Sequence, residues 1–211
     1  MKHFWLNKKD NNSLIIFFNG WGMDQKAVSF LQCAANDIIM FYDYRNLETE
    51  SFDFGRYQKK SLVTWSMGTF ISALFYNMLN GISNKIAING TLCPVDDKYG
   101  IAESVYDLTV KNFNQSSCKK FTRRMFNGND TFDIFSRNPE ELKQELISIK
   151  NFKAMQSLDF NTAFISDFDK IIPTKNQYNF WQMHSTTKIK QIKQGHYPFF
   201  NFKNWDEIIN D

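Results

Sequence analysis

Ser61-Leu62-Val63-Thr64-Trp65-Ser66-Met67-Gly68-Thr69-Phe70 is the stretch that decides how this chain folds. The apolar pair Leu62-Val63 leads into a turn at Thr64 to Gly68, and a helix-like segment, residues 70–76, follows at once. A strand, a sharp turn carrying a serine and then a helix is the order of a nucleophile elbow. Such a turn lifts the Ser66 hydroxyl above the sheet and leaves the Met67 backbone N–H free to face a developing oxyanion. Gly68 allows the helix to pack close to the strand. The full pattern is G-x-S-x-G, and Thr64 stands at its first glycine. The competing reading is a strand-to-helix turn in which Ser66 only caps the helix.

Upstream, residues 14–18 are a continuous apolar run, as in a strand buried on both faces. It ends in Asn19-Gly20-Trp21-Gly22-Met23-Asp24. A buried parallel strand feeding a glycine-rich loop and then a helix, here over about 25–35, suits a site at the C-terminal edge of an α/β sheet. The Trp21 N–H is the candidate second oxyanion donor, the alternative being Trp21 as core filler. Residues 3–6 and 37–44 read as further strands. The polar segment 45–57 has little room for a crossover helix and is expected to be mostly loop. The elbow helix is expected to stop near Asn80-Gly81, and residues 85–89 form another strand, closed by Gly90.

Beyond Gly90, residues 91–158 carry no strand signal. Helices are expected over 103–113, 118–126 and 139–150, the last opened by Pro139 with Glu140 and Glu141 in its first turn. Strand character returns at 161–165. A helix over 173–183, an edge strand over 188–192 that alternates Lys and Ile, a loop at 194–198 and a helix over 205–209 follow. The expected organisation is an α/β-hydrolase core formed by 1–90 and 159–211, with 91–158 inserted as a helical lid.

A serine nucleophile needs a base to take its proton and an acid to orient that base. On α/β-hydrolase sheets these follow in the order Ser, Asp/Glu, His. The chain has three histidines. His3 precedes the fold, and His184 trails a predicted helix. His196 follows the last predicted strand and a glycine, so it is the candidate base. Asp169, after the preceding strand, is the candidate acid, with Asp167 two residues away as the alternative. Ser66, Asp169 and His196 thus fall in the required order, each after a predicted strand.

Composition sets bounds on this reading. The chain has 211 residues, 43% of them hydrophobic and 22 of them Phe, enough for a core and an apolar pocket. No apolar run approaches the roughly 18 residues of a membrane span, and the first residues lack a signal-peptide core, so a cytosolic protein without membrane attachment is expected. Cys33, Cys93 and Cys118 stand at no metal-ligand spacing and are expected as free thiols. A net charge of +3 is too small to point to nucleic acid. The serine chemistry calls for no cofactor and no metal.

Four motifs together carry a resemblance: F-F-N-G-W-G-M-D (17–24), T-W-S-M-G (64–68), I-N-G-T-L-C-P-V-D-D-x-Y-G-I (88–101) and G-H-Y-P-F-F (195–200). With these motifs the chain resembles the BioG family, pimeloyl-[acyl-carrier protein] methyl ester esterases of biotin synthesis, over nearly its whole length. The resemblance implies a reduced α/β-hydrolase fold with loops in place of several helices and a helical lid. It implies Ser66 as nucleophile, His196 as base, Asp169 as acid, and Trp21 and Met67 as oxyanion donors. Many α/β-hydrolases have His-Gly where this chain has Asn19-Gly20. The difference touches only side-chain hydrogen bonding, because the donors are backbone groups. The implied partner is an acidic acyl carrier protein bearing the pimeloyl methyl ester, and a monomer is expected. Lys119, Lys120, Arg123 and Arg124 would form a basic band of i,i+4 pairs on one lid helix to receive it. Phe121, Met125 and Phe126 would line the acyl channel. The bland alternative is a solvated basic helix face over core aromatics. Two rival functions are a general carboxylesterase or thioesterase, and a catalytically silent module that binds the acyl carrier.

Overall fold

The computed structural model describes every residue except Ala34, Asn80, 129–133, 155–156 and Asp211. Seven strands form one sheet: β1 (Lys2–Asn7), β2 (Ser13–Phe18), β3 (Asp37–Tyr42), β4 (Lys59–Trp65), β5 (Asn84–Ile88), β6 (Thr162–Ser166) and β7 (Lys188–Ile192). Their order is β1-β3-β2-β4-β5-β6-β7. Only β1 runs antiparallel, against β3; the other pairings are parallel. The C-terminal ends of β2, β4, β6 and β7 therefore lie along one edge, where ligands of open α/β sheets bind.

The strands are apolar on both faces because both faces are covered. Alternate residues of β2 go to different cores: Leu14, Ile16 and Phe18 pack on one side and Ile15 and Phe17 on the other. At the edge, Ile189 packs against the first core and Ile192 lies in the second, while Lys188 and Gln191 are exposed. This is the half-exposed edge strand expected from its Lys/Ile alternation.

Helices α1 (Met67–Leu74) and α2 (Tyr76–Leu79) connect β4 to β5, and α6 (Thr174–Trp181) connects β6 to β7. Between β5 and β6 come α3 (Glu103–Lys111), α4 (Gln115–Met125) and α5 (Pro139–Asn151), with α7 (Trp205–Asn210) last. Helix α4 starts three residues before the expected position because Asn114 and Ser117 form a reciprocal cap there. No described helix is long and apolar enough to cross a membrane.

Two expectations differ from the structure. The helix over 25–35 is reduced to one 3-10 turn, Gln25–Ala27. Tertiary pairing overrides local propensity here: Gln32 donates its N–H to the Lys203 carbonyl and accepts from the Trp205 N–H, both at 3.1 Å, which holds the segment extended. Ala34, within that expected helix, lies outside the described residues, as does Asn80, the expected end of the elbow helix. The elbow helix is also broken, with Phe75 closing α1 before α2 begins. No helix forms over 45–57, so the thin β3–β4 connection is as expected.

Gly68 sets how closely α1 approaches β2. A Cβ there would stand 2.3 Å from the Phe18 carbonyl oxygen and 2.5 Å from that of Asn19. Both are backbone atoms and cannot swing away. Gly68→Ala is expected to cost about 1–3 kcal/mol, as overpacking does. In a chain of this size that lowers Tm by roughly 2–12 °C, which differential scanning fluorimetry would read.

Candidate active site

Ser66 follows β4 with φ 56° and ψ −125° and has no helix-capping hydrogen bond. A serine held at positive φ without capping its helix sits on a strained elbow, not in a simple cap. Its Oγ lies 2.8 Å from Nε2 of His196, and Nδ1 of His196 lies 2.7 Å from Oδ2 of Asp169. With Asp169 accepting from Nδ1–H, Nε2 is left as the acceptor for the serine proton. All three side chains are buried.

Each is fixed by its surroundings. The other Asp169 oxygen accepts the N–H groups of Ile171 and Ile172 at 2.8 and 3.0 Å, and Gln177 on α6 donates to Oδ2 at 2.8 Å. The turn after β6 and the first half of α6 thus clamp the carboxylate. Asp167 is half-buried and has no described side-chain bond to His196; only its backbone N–H is tied, to Ile192 at 2.9 Å. The His196 carbonyl accepts from Trp65 Nε1 and Asn89 Nδ2, both at 3.0 Å, and the Trp65 ring lies 5.6 Å from the imidazole. Asn89 also accepts the Ser166 N–H at 2.8 Å, so one side chain after β5 joins the ends of β6 and β7. The remaining histidines are packing residues: His3 sits edge-on to Phe52, and His184 lies against Phe180 and Trp181.

Trp21 and Met67 line the same cavity as Ser66 and His196. Among the described residues, nothing accepts the backbone N–H of either. The Asn19 side chain donates to the Asp24 carbonyl and accepts from the Gly20 N–H, both at 2.9 Å, and also donates to Met40 Sδ on β3 at 3.2 Å.

The cavity measures about 330 Å³, within the usual range for small-molecule sites. Its deep wall is aromatic, with the Trp21 ring 5.3 Å from Phe113 and 4.9 Å from Phe121. Helices α3 and α4 supply much of the remaining lining, including Val105, Leu108 and Met125. Phe126 is not among the lining residues; it packs 4.7 Å from Tyr197, outside the channel expected for it. Lys119, Lys120, Arg123 and Arg124 are all exposed along α4 and form no ion pair with a described residue. Lys120 and Arg124 line the cavity, whereas Lys119 and Arg123 do not.

Sequence reasoning missed Gln177, Asn89 and Lys170. Lys170 follows the candidate acid and adds a third cation to the cavity lining. Gln177, a fully buried polar residue on α6, differs in no local way from a solvated helix glutamine. Asn89 had one usable signal: it ends a buried strand immediately before a glycine.

The model of the family described as pimeloyl-ACP methyl esterase BioG matches residues 1–208. The crystal structure of BioG from Haemophilus influenzae superimposes with a TM-score of 0.88 at 29% identity, covering 99% of this chain and 100% of that one. A Haemophilus influenzae protein is 32% identical over 206 residues, 92% of this chain and 93% of its own length. A malonyl-[acyl-carrier protein] O-methyltransferase from Bacteroides fragilis is 34% identical over 192 residues, 87% of this chain, and the chain spans only 39% of that protein. At 13% identity, an esterase from Exiguobacterium antarcticum shares the fold alone, with a TM-score of 0.66 over 95% of this chain and 89% of that one. The parallel sheet, the serine on its elbow and a match over nearly the whole length lead to one conclusion: the chain belongs to the BioG family, on an α/β-hydrolase fold.

Proposed function

We propose that this protein is a serine carboxylesterase that hydrolyses the methyl ester of pimeloyl-[acyl-carrier protein] and frees the pimeloyl carboxylate for biotin synthesis. The observation that carries the reading is the Ser66–His196–Asp169 chain of contacts at 2.8 and 2.7 Å on an apolar cavity. Ser66 Oγ attacks the ester carbonyl while His196 Nε2 takes its proton. The oxyanion is held by the N–H groups of Trp21 and Met67. Collapse breaks the bond to the methoxy oxygen, which leaves as methanol with the proton from His196. A water, deprotonated by the same imidazole, then attacks the acyl-enzyme and releases the carboxylate and Ser66. The thioester to the carrier is untouched.

Residues 91–158 act in this reading as the lid, since α3 and α4 supply much of the cavity wall. Five methylenes of the acyl chain, at about 0.8 kcal/mol each, contribute roughly 4 kcal/mol when buried there. Exposed ion pairs are worth about 0–1 kcal/mol each. The apolar wall therefore dominates affinity, while Lys120, Arg124 and Lys170 at the cavity, with Lys119 and Arg123 beside them, steer and orient the acidic carrier. The Bacteroides fragilis relative is named for methylating a carrier-bound acyl group, which is the chemistry that would supply such an ester. One chain carries every residue invoked, so a monomer suffices, and a carrier-bound substrate sets the reaction in the cytoplasm.

The test is kcat/KM on the carrier-bound methyl ester against p-nitrophenyl butyrate and a carrier thioester. The carrier methyl ester is expected to be the best substrate. Its kcat/KM is expected to fall about tenfold between low and high salt, as electrostatically steered association does. It is also expected to fall about tenfold at low salt in the Arg123→Glu/Arg124→Glu double variant, with a much smaller effect on the uncharged ester. Equal turnover of all three substrates would favour a general esterase or thioesterase. Absence of any salt or mutant effect would remove the docking role of α4.

A further inference from the structure

Helix α5 holds the loop that carries Trp21 at several points. The Trp21 indole N–H donates to the Leu142 carbonyl at 2.9 Å, and the Gly22 N–H donates to Oε2 of Glu145 at 3.1 Å. Leu142 and Glu145 are three residues apart and share one face of the helix. Just before α5, the Ser136 hydroxyl donates to Asp24 at the far end of the loop. At the near end the Tyr44 hydroxyl donates to the Asn19 carbonyl at 2.7 Å, and the Tyr44 N–H donates to Oε1 of Glu145 at 2.8 Å. Glu145 thus joins two backbone segments that hydrolytic chemistry does not require to be joined.

Glu145 is fully buried and ion-paired with Arg137. Arg137 in turn lies 2.8 Å from Asp43, which also takes Arg45 at 2.7 Å and Lys2 at 3.0 Å. Burial pushes the Glu145 carboxyl upward, against the pull of Arg137. Burial would raise Asp43 too, but its hydrogen bonds and charges from Arg45, Arg137 and Lys2 hold it well below the usual carboxylate range. A buried ion pair is rarely the best way to gain stability, since apolar residues of the same shape often serve as well. Its special capacity is to fix geometry: a carboxylate accepts two N–H groups and an arginine at set angles, which no apolar side chain does.

We infer that Glu145, held by Arg137, is a positioning residue for the reaction: it braces Gly22 and Tyr44 so that the adjacent Trp21 N–H is aimed at the oxyanion. Within the 91–158 lid, helix α5 is then the fixed part that braces the site and not a part that opens. This inference rests on the serine-esterase reading and adds to it a residue that touches no reacting atom. Glu145→Gln keeps the shape but places an amide donor among donors, so the loop is free to shift. A loop displaced by a fraction of an ångström acts in the transition state and leaves ground-state binding alone.

The experiment uses the whole protein and p-nitrophenyl butyrate, which needs no carrier. In Glu145→Gln, kcat per folded molecule is expected to fall about 10- to 100-fold, with KM within about twofold of wild type. Arg137→Lys, which keeps a cation beside the carboxylate, is expected to retain more of kcat than Glu145→Gln does. Ser136→Ala, at an exposed residue, is expected to lower kcat about threefold to tenfold, again without moving KM. Folded fraction is read by circular dichroism; should Glu145→Gln not fold, Ser136→Ala and Arg137→Lys decide on the same kcat and KM criterion. Unchanged kcat in the folded variants, or a loss that appears in KM, overturns the brace. Labelling of the wild type by a fluorophosphonate tests the parent reading separately: if the wild type labels and the folded variants keep full kcat, only the brace fails, and if the wild type does not label, both fall.

Discussion

Ser66→Ala is expected to lower kcat on the carrier-bound methyl ester by about a millionfold, the order seen when a serine protease loses its nucleophile. The size of the loss follows from where the oxygen sits. Ser66 Oγ is 2.8 Å from the His196 nitrogen, and the described cavity offers no other hydroxyl in contact with that imidazole. Removing the oxygen removes the covalent route itself, not merely part of its stabilisation. On the proposed mechanism, what remains is the Trp21 loop and the cavity, which would bind the ester and accelerate attack by water only modestly. The variant should still fold, because Ser66 makes no capping hydrogen bond to α1. Binding of the carrier ester by the folded variant, measured by calorimetry, is expected to be near that of the wild type. An intact esterase rate would end the account of Ser66.

Asp169→Asn is expected to lower kcat by about ten-thousandfold, the order found when a buried triad acid becomes its amide. The reason is tautomeric. Oδ2 of Asp169 faces two nitrogens, His196 Nδ1 at 2.7 Å and Gln177 Nε2 at 2.8 Å. The other oxygen already accepts two backbone N–H groups, from Ile171 and Ile172. An asparagine must keep its carbonyl toward those N–H groups, so its NH₂ points at the imidazole. Nδ1 then has to accept, the ring proton moves to Nε2, and Nε2 can no longer take the serine proton. Asp167→Asn is the matched control. That side chain is half-buried and has no described bond to the imidazole, so a change within about twofold is expected, as for most substitutions away from such features. The reverse pattern would transfer the role to Asp167.

Elements whose causes are local were legible in the sequence. The apolar run at Leu14 to Phe18 could only be a strand covered on both sides, and its two faces do pack into separate cores. Pro139 with two following acids marked the start of α5 to the residue. The serine turn, the late histidine and the acid between them fixed a topological order, and parallel strands then bring their C-terminal ends to one edge. Elements whose causes are distant were not legible. Residues 25–35 look helical until the pairing of Gln32 with residues 203 and 205 is known. Phe126 ends the helix expected over 118–126, but only the turn that it caps after α4 reveals that it faces Tyr197 and not the cavity. Glu145 reads as one more acid in a charged helix. Its burial depends on Arg137, Asp43 and the loop at Gly22, which are far apart in sequence.

The most direct test of the central claim is to treat the protein with a fluorophosphonate and map the adduct by peptide mass spectrometry. A fluorophosphonate labels a serine only when a neighbouring base makes its oxygen nucleophilic. The account predicts a single adduct, on Ser66, that is lost in His196→Ala. No adduct, an adduct on another serine, or labelling of Ser66 that persists without the imidazole would contradict it.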